Sequence, residues 1–271
     1  MEYYLNTLIL GIVQGVCEFL PVSSSGHLAI LQNFFNLNTE NLVTFDLFLH
    51  CATVLVILIF FAKDIFMIIS DWFKGWFKFK SKKEAGWTYG WMIIIATVIT
   101  GLIGLPLRKI VEEMMSSTLL VGSGLIFTGI ILAFVPLISR ENKNFSPYLI
   151  AVVIGIAQGV AVLPGVSRSG LTMAAGLLMG MEIIEAFSFS FVISVPAVLG
   201  ASLLEAVKIF KSDEIIYLPS GWVIGLIVAF VFGLLALNLM RKLVISGKWP
   251  YFGLYCLIIG AVTVLMSLRI F

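Results

Sequence analysis

The chain has 271 residues, of which 60% are hydrophobic and only 12% are charged. A soluble protein of this size carries about 25% charged residues, so the composition excludes an ordinary soluble domain and favours an integral membrane protein. The net charge of +2, with no basic stripe along the sequence, argues against a nucleic-acid partner.

The first predicted element is a helical hairpin over residues 5–34 with a polar break in the middle. Its arms, residues 5–20 and 26–34, would be about 24 Å and about 13 Å long. The second arm cannot cross about 30 Å of hydrocarbon, so the hairpin is predicted to be re-entrant. Broken backbone is tolerated at membrane depth only where it is buried in protein or lines a wet cavity. The break therefore predicts a cavity.

Six further apolar runs are long enough to span a bilayer. Three follow the first hairpin and three follow a second predicted re-entrant hairpin, residues 147–180, which breaks at Pro164–Ser169. The predicted spans lie near 43–62, 89–107, 118–138, 187–206, 220–240 and 251–270. Residues 72–87 mix aromatic side chains with lysines. They fit either an interfacial amphipathic segment on anionic lipid or an ordinary cytoplasmic loop with an aromatic belt.

The two breaks carry matching motifs about 144 positions apart. Both run Gln-Gly-Val, then Leu-Pro, then a serine-rich turn that ends in Ser-Gly, which indicates an internal duplication. Three spans separate the hairpins, so they should enter from opposite faces and their tips should meet near the midplane. The expected fold is an all-α integral membrane protein with six transmembrane helices and two re-entrant helix-turn-helix hairpins. Its inverted repeats would be residues 1–140 and 147–271.

The distribution of basic residues predicts the orientation. Eleven of the 17 lysines and arginines fall on the side that holds loops 63–88, 139–146 and 240–249, against five on the other side. The positive-inside rule makes the first side cytoplasmic. The mouth of the first hairpin then faces outward.

Arg168 is the most informative residue, because a charge at membrane depth is costly and usually marks a functional site. Its neighbours Ser167 and Ser169, and a helix predicted to begin near Gly170, favour an anion such as phosphate. Glu18 is the opposing charge in the first hairpin, and it shares a helix face with Gln14. Three roles stay open for this carboxylate: general base, ligand of a hard divalent cation, or ion-pair partner of the arginine.

Three serines and a histidine complete the first break. One of Ser23, Ser24 and Ser25 is expected to cap the following helix. His27 is expected to reach the Ser24 hydroxyl, as in an activated nucleophile, the alternative being a histidine satisfied by a backbone carbonyl. His50, with only Asp46 as a polar neighbour, is expected to be structural. The inventory predicts a phosphate-handling site within the membrane, and hydrolysis and transport both fit it.

Residues Gln14 to His27 resemble the signature (Glu/Gln)-Gly-x-x-Glu-Phe-Leu-Pro-(Val/Ile)-Ser-Ser-(Ser/Thr)-Gly-His of the undecaprenyl-pyrophosphate phosphatase family, also called bacitracin-resistance proteins. Pro164 to Thr172 resemble its second signature, Pro-Gly-x-Ser-Arg-Ser-Gly-x-Thr, and the likeness in length and hydropathy covers the whole chain. The resemblance implies hydrolysis of undecaprenyl diphosphate to undecaprenyl phosphate and inorganic phosphate. This reaction recycles the lipid carrier for cell-wall glycan synthesis at the outer face of the bacterial cytoplasmic membrane. The alternative is a polyprenyl-phosphate flippase.

The resemblance also implies roles for individual residues. Glu18 would be metal ligand or base, Ser24 or His27 the nucleophile or its activator, and Arg168 catalytic. Gln14, where some members have a carboxylate, and Gln158 would be supporting residues. The implied phosphate-binding residues are Ser23, Ser25, Gly26, Ser167, Arg168, Ser169, Gly170 and Thr172. A divalent cation, Mg²⁺ or Ca²⁺, is the implied cofactor, and whether the chain forms a homodimer stays open.

Overall fold

The computed structural model describes residues 2–35, 39–78, 81–82, 84–138, 145–211 and 218–269. The regular elements in these ranges are helices, as the composition predicts. In chain order they are α1 Glu2–Phe19, α2 Ser24–Phe34, α3 Thr39–Phe60, α4 Ala62–Phe77, α5 Ala85–Gly104, α6 Arg108–Met115, α7 Thr118–Ile138, α8 Pro147–Val160, α9 Arg168–Leu178, α10 Ile183–Val192, α11 Ser194–Lys211, α12 Trp222–Ile245 and α13 Tyr251–Arg269.

The prediction of a multi-pass membrane protein is confirmed. Within the described residues, five segments are long and apolar enough to cross a membrane, and α3 with α4 makes a sixth if this pair, bent by 76°, counts as one span. The span predicted at 187–206 is longer than expected and broken, since α10 and α11 meet at Ile193. Pro196, in the first turn of α11, has no N–H for a continuous helical ladder, which explains the break.

The helix α4 differs from the expectation for residues 72–87, because the helical segment begins ten residues earlier, at Ala62. One face of α4 packs on α5, where Gly75 leaves room for the indole ring of Trp87. A second face exposes Phe66, Phe73 and Phe77. Lys63 and Lys74 lie on a third face. A packed face, an exposed apolar face and a basic face together fit a helix that lies in the plane of the membrane interface. Its location there stays a prediction.

Both predicted helix-break-helix hairpins are present. In the first, α1 and the 11-residue α2 flank a break at residues 20–23. In the second, the break covers residues 161–167, and α9 begins at Arg168 rather than near Gly170. The helix begins at Arg168 because the Ser167 side chain caps it.

The first arm of each hairpin packs against a span that follows the other hairpin. The helix α1 lies along α12, and α8 lies along α5. Small residues allow this close approach, as at Gly15 against Ala229 and Gly155 against Ala96. A cluster of buried aromatic rings, Phe19, Phe61, Phe187 and Phe191, joins the end of α1 to the bend after α3 and to α10. This aromatic cluster holds the end of α1, and with it the first tip, in place.

Candidate active site

The tips of the two hairpins touch each other, as the sequence predicts. A Cβ atom added to Gly26 would lie 2.9 Å from the Cα atom of Gly165, so the first turn of α2 and the second break are in backbone contact there. The Ser169 hydroxyl donates to the carbonyl oxygen of Leu20 over 3.4 Å. Thr128 of α7 anchors the second tip, because its hydroxyl donates to the Gly165 carbonyl and accepts from the Ser167 N–H, both at 2.9 Å.

The two tips repeat the same capping geometry. Ser23 accepts from the Gly26 N–H at 3.3 Å, and Ser167 accepts from the Gly170 N–H at 3.1 Å. The prediction that a serine caps the helix after the first break is therefore confirmed. Ser24 and the arginine at 168 follow their caps directly and occupy equivalent positions, each as the first residue of a helix. Two helix N-termini with their positive dipole ends therefore meet at one place.

Ser23 has a backbone φ of 67° and is the one residue other than glycine with positive φ in the described part of the chain. Such a conformation costs about 1–3 kcal/mol and persists only where the surroundings enforce it. Here it turns the chain sharply out of the break, so that the capping oxygen and the next hydroxyl, that of Ser24, both face the junction of the tips. Strain of this kind is typical of functional sites.

Glu18 is the centre of the polar network. It is 7% exposed, and both carboxylate oxygens have partners. Ser24 Oγ donates to Oε2 at 2.6 Å, and Gln14 Nε2 donates to the same oxygen at 3.1 Å. Arg168 Nη2 donates to Oε1. The ion pair that the sequence left as one of three alternatives is thus present, and it joins residues 150 positions apart.

One guanidinium nitrogen of Arg168 has no hydrogen-bond partner. Nη2 holds Glu18, whereas Nη1 is buried and has no hydrogen-bond partner. A buried donor without an acceptor costs about 1–3 kcal/mol, so such an atom calls for an acceptor that the protein itself does not provide. An incoming anion would satisfy it.

His50 of α3 belongs to this network, although its sequence suggested a structural role. Its Nδ1 atom lies 3.4 Å from Glu18 Oε2 and 3.0 Å from Gln14 Nε2. Both carboxylate oxygens of Asp46, one turn earlier, accept from Gln32 Nε2 of α2 at 3.0 and 2.9 Å, which fixes α2 to α3. The spacing of Asp46 and His50, on one face of an apolar span, was the available signal.

Two predicted site residues point elsewhere. His27 does not contact Ser24: its Nδ1 atom lies 2.8 Å from the Ser23 carbonyl oxygen, and its Nε2 atom lies 2.9 Å from the Tyr255 hydroxyl of α13. Nδ1 therefore carries the proton, because a carbonyl only accepts, and Nε2 accepts from the tyrosine. The Thr172 hydroxyl donates to the Arg168 carbonyl and faces Ser190.

A cavity of about 300 Å³ lies at the meeting point of the tips. Its wall includes Glu18, Arg168 and His50, together with serine hydroxyls from both breaks and parts of α3 and α11. The serines that line it are Ser23, Ser24, Ser25, Ser167, Ser169 and Ser202. The supporting Gln158 lies outside this wall, and its amide nitrogen donates to Thr100 at 3.1 Å. The cavity thus offers an arginine, hydroxyls and helix N-termini to an anion.

The donors at Glu18 do not fit a cation held by the protein alone. Both carboxylate oxygens already accept from neighbouring side chains. In the described ranges, no group of three or more His, Cys, Asp or Glu side chains could hold a metal ion. Gln14 Oε1 is buried without a partner and is the one spare oxygen beside the carboxylate. Any cation here would need most of its ligands from a bound anion.

The sequence matches a known protein family over most of its length. Residues 7–262 match the family model described as bacitracin resistance protein BacA. The chain is similar to undecaprenyl-diphosphatase of Methanococcus vannielii, with 40% identity over 257 residues, or 93% of this chain and 96% of the relative. It is also 40% identical over 271 residues to undecaprenyl-diphosphatase of Bacteroides fragilis, covering 98% of this chain and 99% of the relative.

Proposed function

The chain belongs to the bacitracin resistance protein BacA family, and on this basis we propose that it is an undecaprenyl-diphosphate phosphatase. It would hydrolyse undecaprenyl diphosphate to undecaprenyl phosphate and inorganic phosphate, which returns the lipid carrier to cell-wall glycan synthesis. The observation that carries the proposal is the Glu18 carboxylate, held between the Ser24 hydroxyl and the Arg168 guanidinium at a junction of two helix N-termini.

We assign Ser24 as the nucleophile and Glu18 as its base. The 2.6 Å hydrogen bond from the hydroxyl to Oε2 supports this pairing, whereas the two ring nitrogens of His27 have other partners. As the Ser24 oxygen forms a bond to the terminal phosphorus, its proton passes to Glu18 and the bond to the bridging oxygen breaks. Undecaprenyl phosphate leaves, and water then hydrolyses the phosphoserine to inorganic phosphate.

Arg168 binds both the base and the substrate phosphate. Its Nη2 atom holds Glu18 in place, and its unpartnered Nη1 atom is available to a phosphate oxygen. The N-termini of α2 and α9 add backbone N–H groups and a positive potential at the place where negative charge develops. A divalent cation is part of the proposal only as a companion of the diphosphate, since the protein lacks a cage for it.

We further infer that the site is built by two inverted repeats, residues 1–140 and 147–271. The reciprocal packing of α1 on α12 and of α8 on α5, and the matched caps Ser23 and Ser167, support this division. The charge distribution supports a cytoplasmic membrane location with the site open to the outer face, where the diphosphate is released.

A flippase with the same repeats is not favoured, because the tips are chemically unequal. At equivalent positions one tip has the Ser24 hydroxyl and the other has the Arg168 guanidinium. A nucleophilic hydroxyl on one tip and an anion-binding guanidinium on the other suit phosphoryl transfer. Transport of the lipid needs no difference between the two tips.

The test is phosphate release from undecaprenyl diphosphate by detergent-purified protein, with and without a chelator of divalent cations. Ser24→Ala should abolish release, and the wild type supplied with radiolabelled substrate should hold acid-stable phosphate on serine. His27→Ala should retain measurable activity, because this side chain lies outside the cavity wall. The matched control is Ser123→Ala, which removes an exposed hydroxyl of α7.

Absence of phosphate release from folded wild-type protein with cation present would refute the phosphatase proposal. An assay of leaflet exchange would then test the flippase. Abolition by His27→Ala with full activity in Ser24→Ala would instead refute the assignment of the nucleophile.

A further inference from the structure

A second cavity, of about 640 Å³, adjoins the catalytic cavity. The two share a wall formed by Arg168 and by small apolar residues of the second break and of α11, namely Ala161, Val162, Val198 and Ala201. The buried, unpartnered Nη1 atom therefore belongs to a residue that lines both spaces. A ligand bound at the arginine could extend from one cavity into the other without a change of fold.

The lining of the second cavity is mostly apolar. Its polar residues include Gln158 and Thr100, which share a hydrogen bond, and the ion pair between Arg108 and Glu205, which joins α6 to α11. Leu105 and Leu203 also line the cavity, and these side chains are 58% and 66% exposed. In a membrane-spanning chain such residues face lipid, so the cavity opens sideways to the bilayer between α5 and α11.

Two glycines keep this space open. A Cβ atom added to Gly101 of α5 or to Gly200 of α11 would meet no other atom within 4 Å. Other helical glycines of the chain differ, as at Gly15, where an added Cβ would lie 2.5 Å from the Ala229 carbonyl oxygen. Gly101 and Gly200 line the second cavity and not the catalytic one. Close helix packing therefore does not account for them, but an open cavity does.

We propose that this cavity binds the polyprenyl chain next to the diphosphate, an assignment that rests on the proposed phosphatase function. An isoprene unit has five carbon atoms, and at roughly 30 Å³ per atom, the share of a water molecule in the liquid, the cavity takes about four units. The rest of the chain leaves between α5 and α11 into lipid. The cavity therefore favours a diphosphate with a polyprenyl chain over one without it, because only the chain fills the space beside Gly101 and Gly200.

Gly200→Leu would place a side chain in the second cavity and block the polyprenyl chain, while the catalytic tips, which Gly200 does not line, stay intact. We expect kcat/KM for undecaprenyl diphosphate to fall at least about tenfold, the scale on which pockets discriminate by one or two methylenes. For methyl diphosphate, which has no isoprene chain to enter the cavity, the change should stay under about threefold. Gly101→Leu, from the opposite wall, should behave alike.

Leu102→Phe is the matched control, because Leu102 is the 70% exposed neighbour of Gly101 outside the cavity lining. This variant should leave kcat/KM unchanged for both substrates. If both glycine variants fold, as judged by melting temperature, and lower the two activities equally or not at all, the chain-binding inference is wrong. If the wild type hydrolyses neither substrate, the phosphatase proposal itself fails, and the two failures are thereby distinguished.

Discussion

Arg168→Lys tests whether the Arg168 guanidinium binds both the base, Glu18, and a phosphate oxygen of the substrate. The arginine presents Nη2 to Glu18 and keeps Nη1 buried without a partner. A lysine keeps the positive charge, but its single ammonium group cannot reproduce the planar fork. It should stay on the carboxylate, so one charge-assisted hydrogen bond to phosphate is lost.

A hydrogen bond to a charged group contributes about 1.5–3 kcal/mol. At about 1.4 kcal/mol for each factor of ten, kcat/KM for undecaprenyl diphosphate should fall about 10- to 150-fold in Arg168→Lys. The stability of the protein should change little, because Glu18 keeps an opposite charge. Arg168→Ala should differ, because it removes the guanidinium partner of the buried Glu18 carboxylate, and breaking a buried ion pair in this way costs about 3–5 kcal/mol.

The assay combines steady-state phosphate release with thermal unfolding in detergent for both variants. The control is Arg241→Lys, since Arg241 is exposed and its guanidinium lies over the Phe60 ring, 6.0 Å from the centroid. Activity of Arg168→Lys within threefold of the wild type would refute the shared use of the fork. A melting temperature for Arg168→Ala equal to that of the wild type would refute the stabilising role of the ion pair.

Two further predictions concern the contact of the tips and the position of α4. Gly26→Ala places a Cβ 2.9 Å from the Cα of Gly165, so it should separate the tips and lower kcat more than about tenfold, at an overpacking cost of about 1–3 kcal/mol. Equal activity in Gly26→Ala and the control Ser123→Ala would contradict this. A spin label at Phe73→Cys should be relaxed by oxygen and one at Lys74→Cys by a water-soluble nickel complex. Equal access of the nickel complex to both would place α4 outside the interface.

Local patterns were sufficient to predict much of the fold. A run of about 20 apolar residues has few alternatives to a span, and a proline with clustered serines ends a helix wherever it lies. The hairpins at Pro21 and Pro164, and a capping serine in the first break, were therefore predictable. The bend after α3 and the early start of α4 were not, because they depend on the packing of Phe61 against α10.

The sequence by itself determined that Glu18 and Arg168 lie in two similar breaks within a membrane protein. It could not determine which hydroxyl or imidazole meets the carboxylate. Ser24 and His27 share one helical turn, and a turn permits several side-chain contacts at similar cost. Only the tertiary structure decided between them, because Tyr255 of α13 holds the imidazole while His50 of α3 lies beside the carboxylate. The physical reason is that these partners come from distant segments whose positions follow from helix packing, which no local pattern encodes.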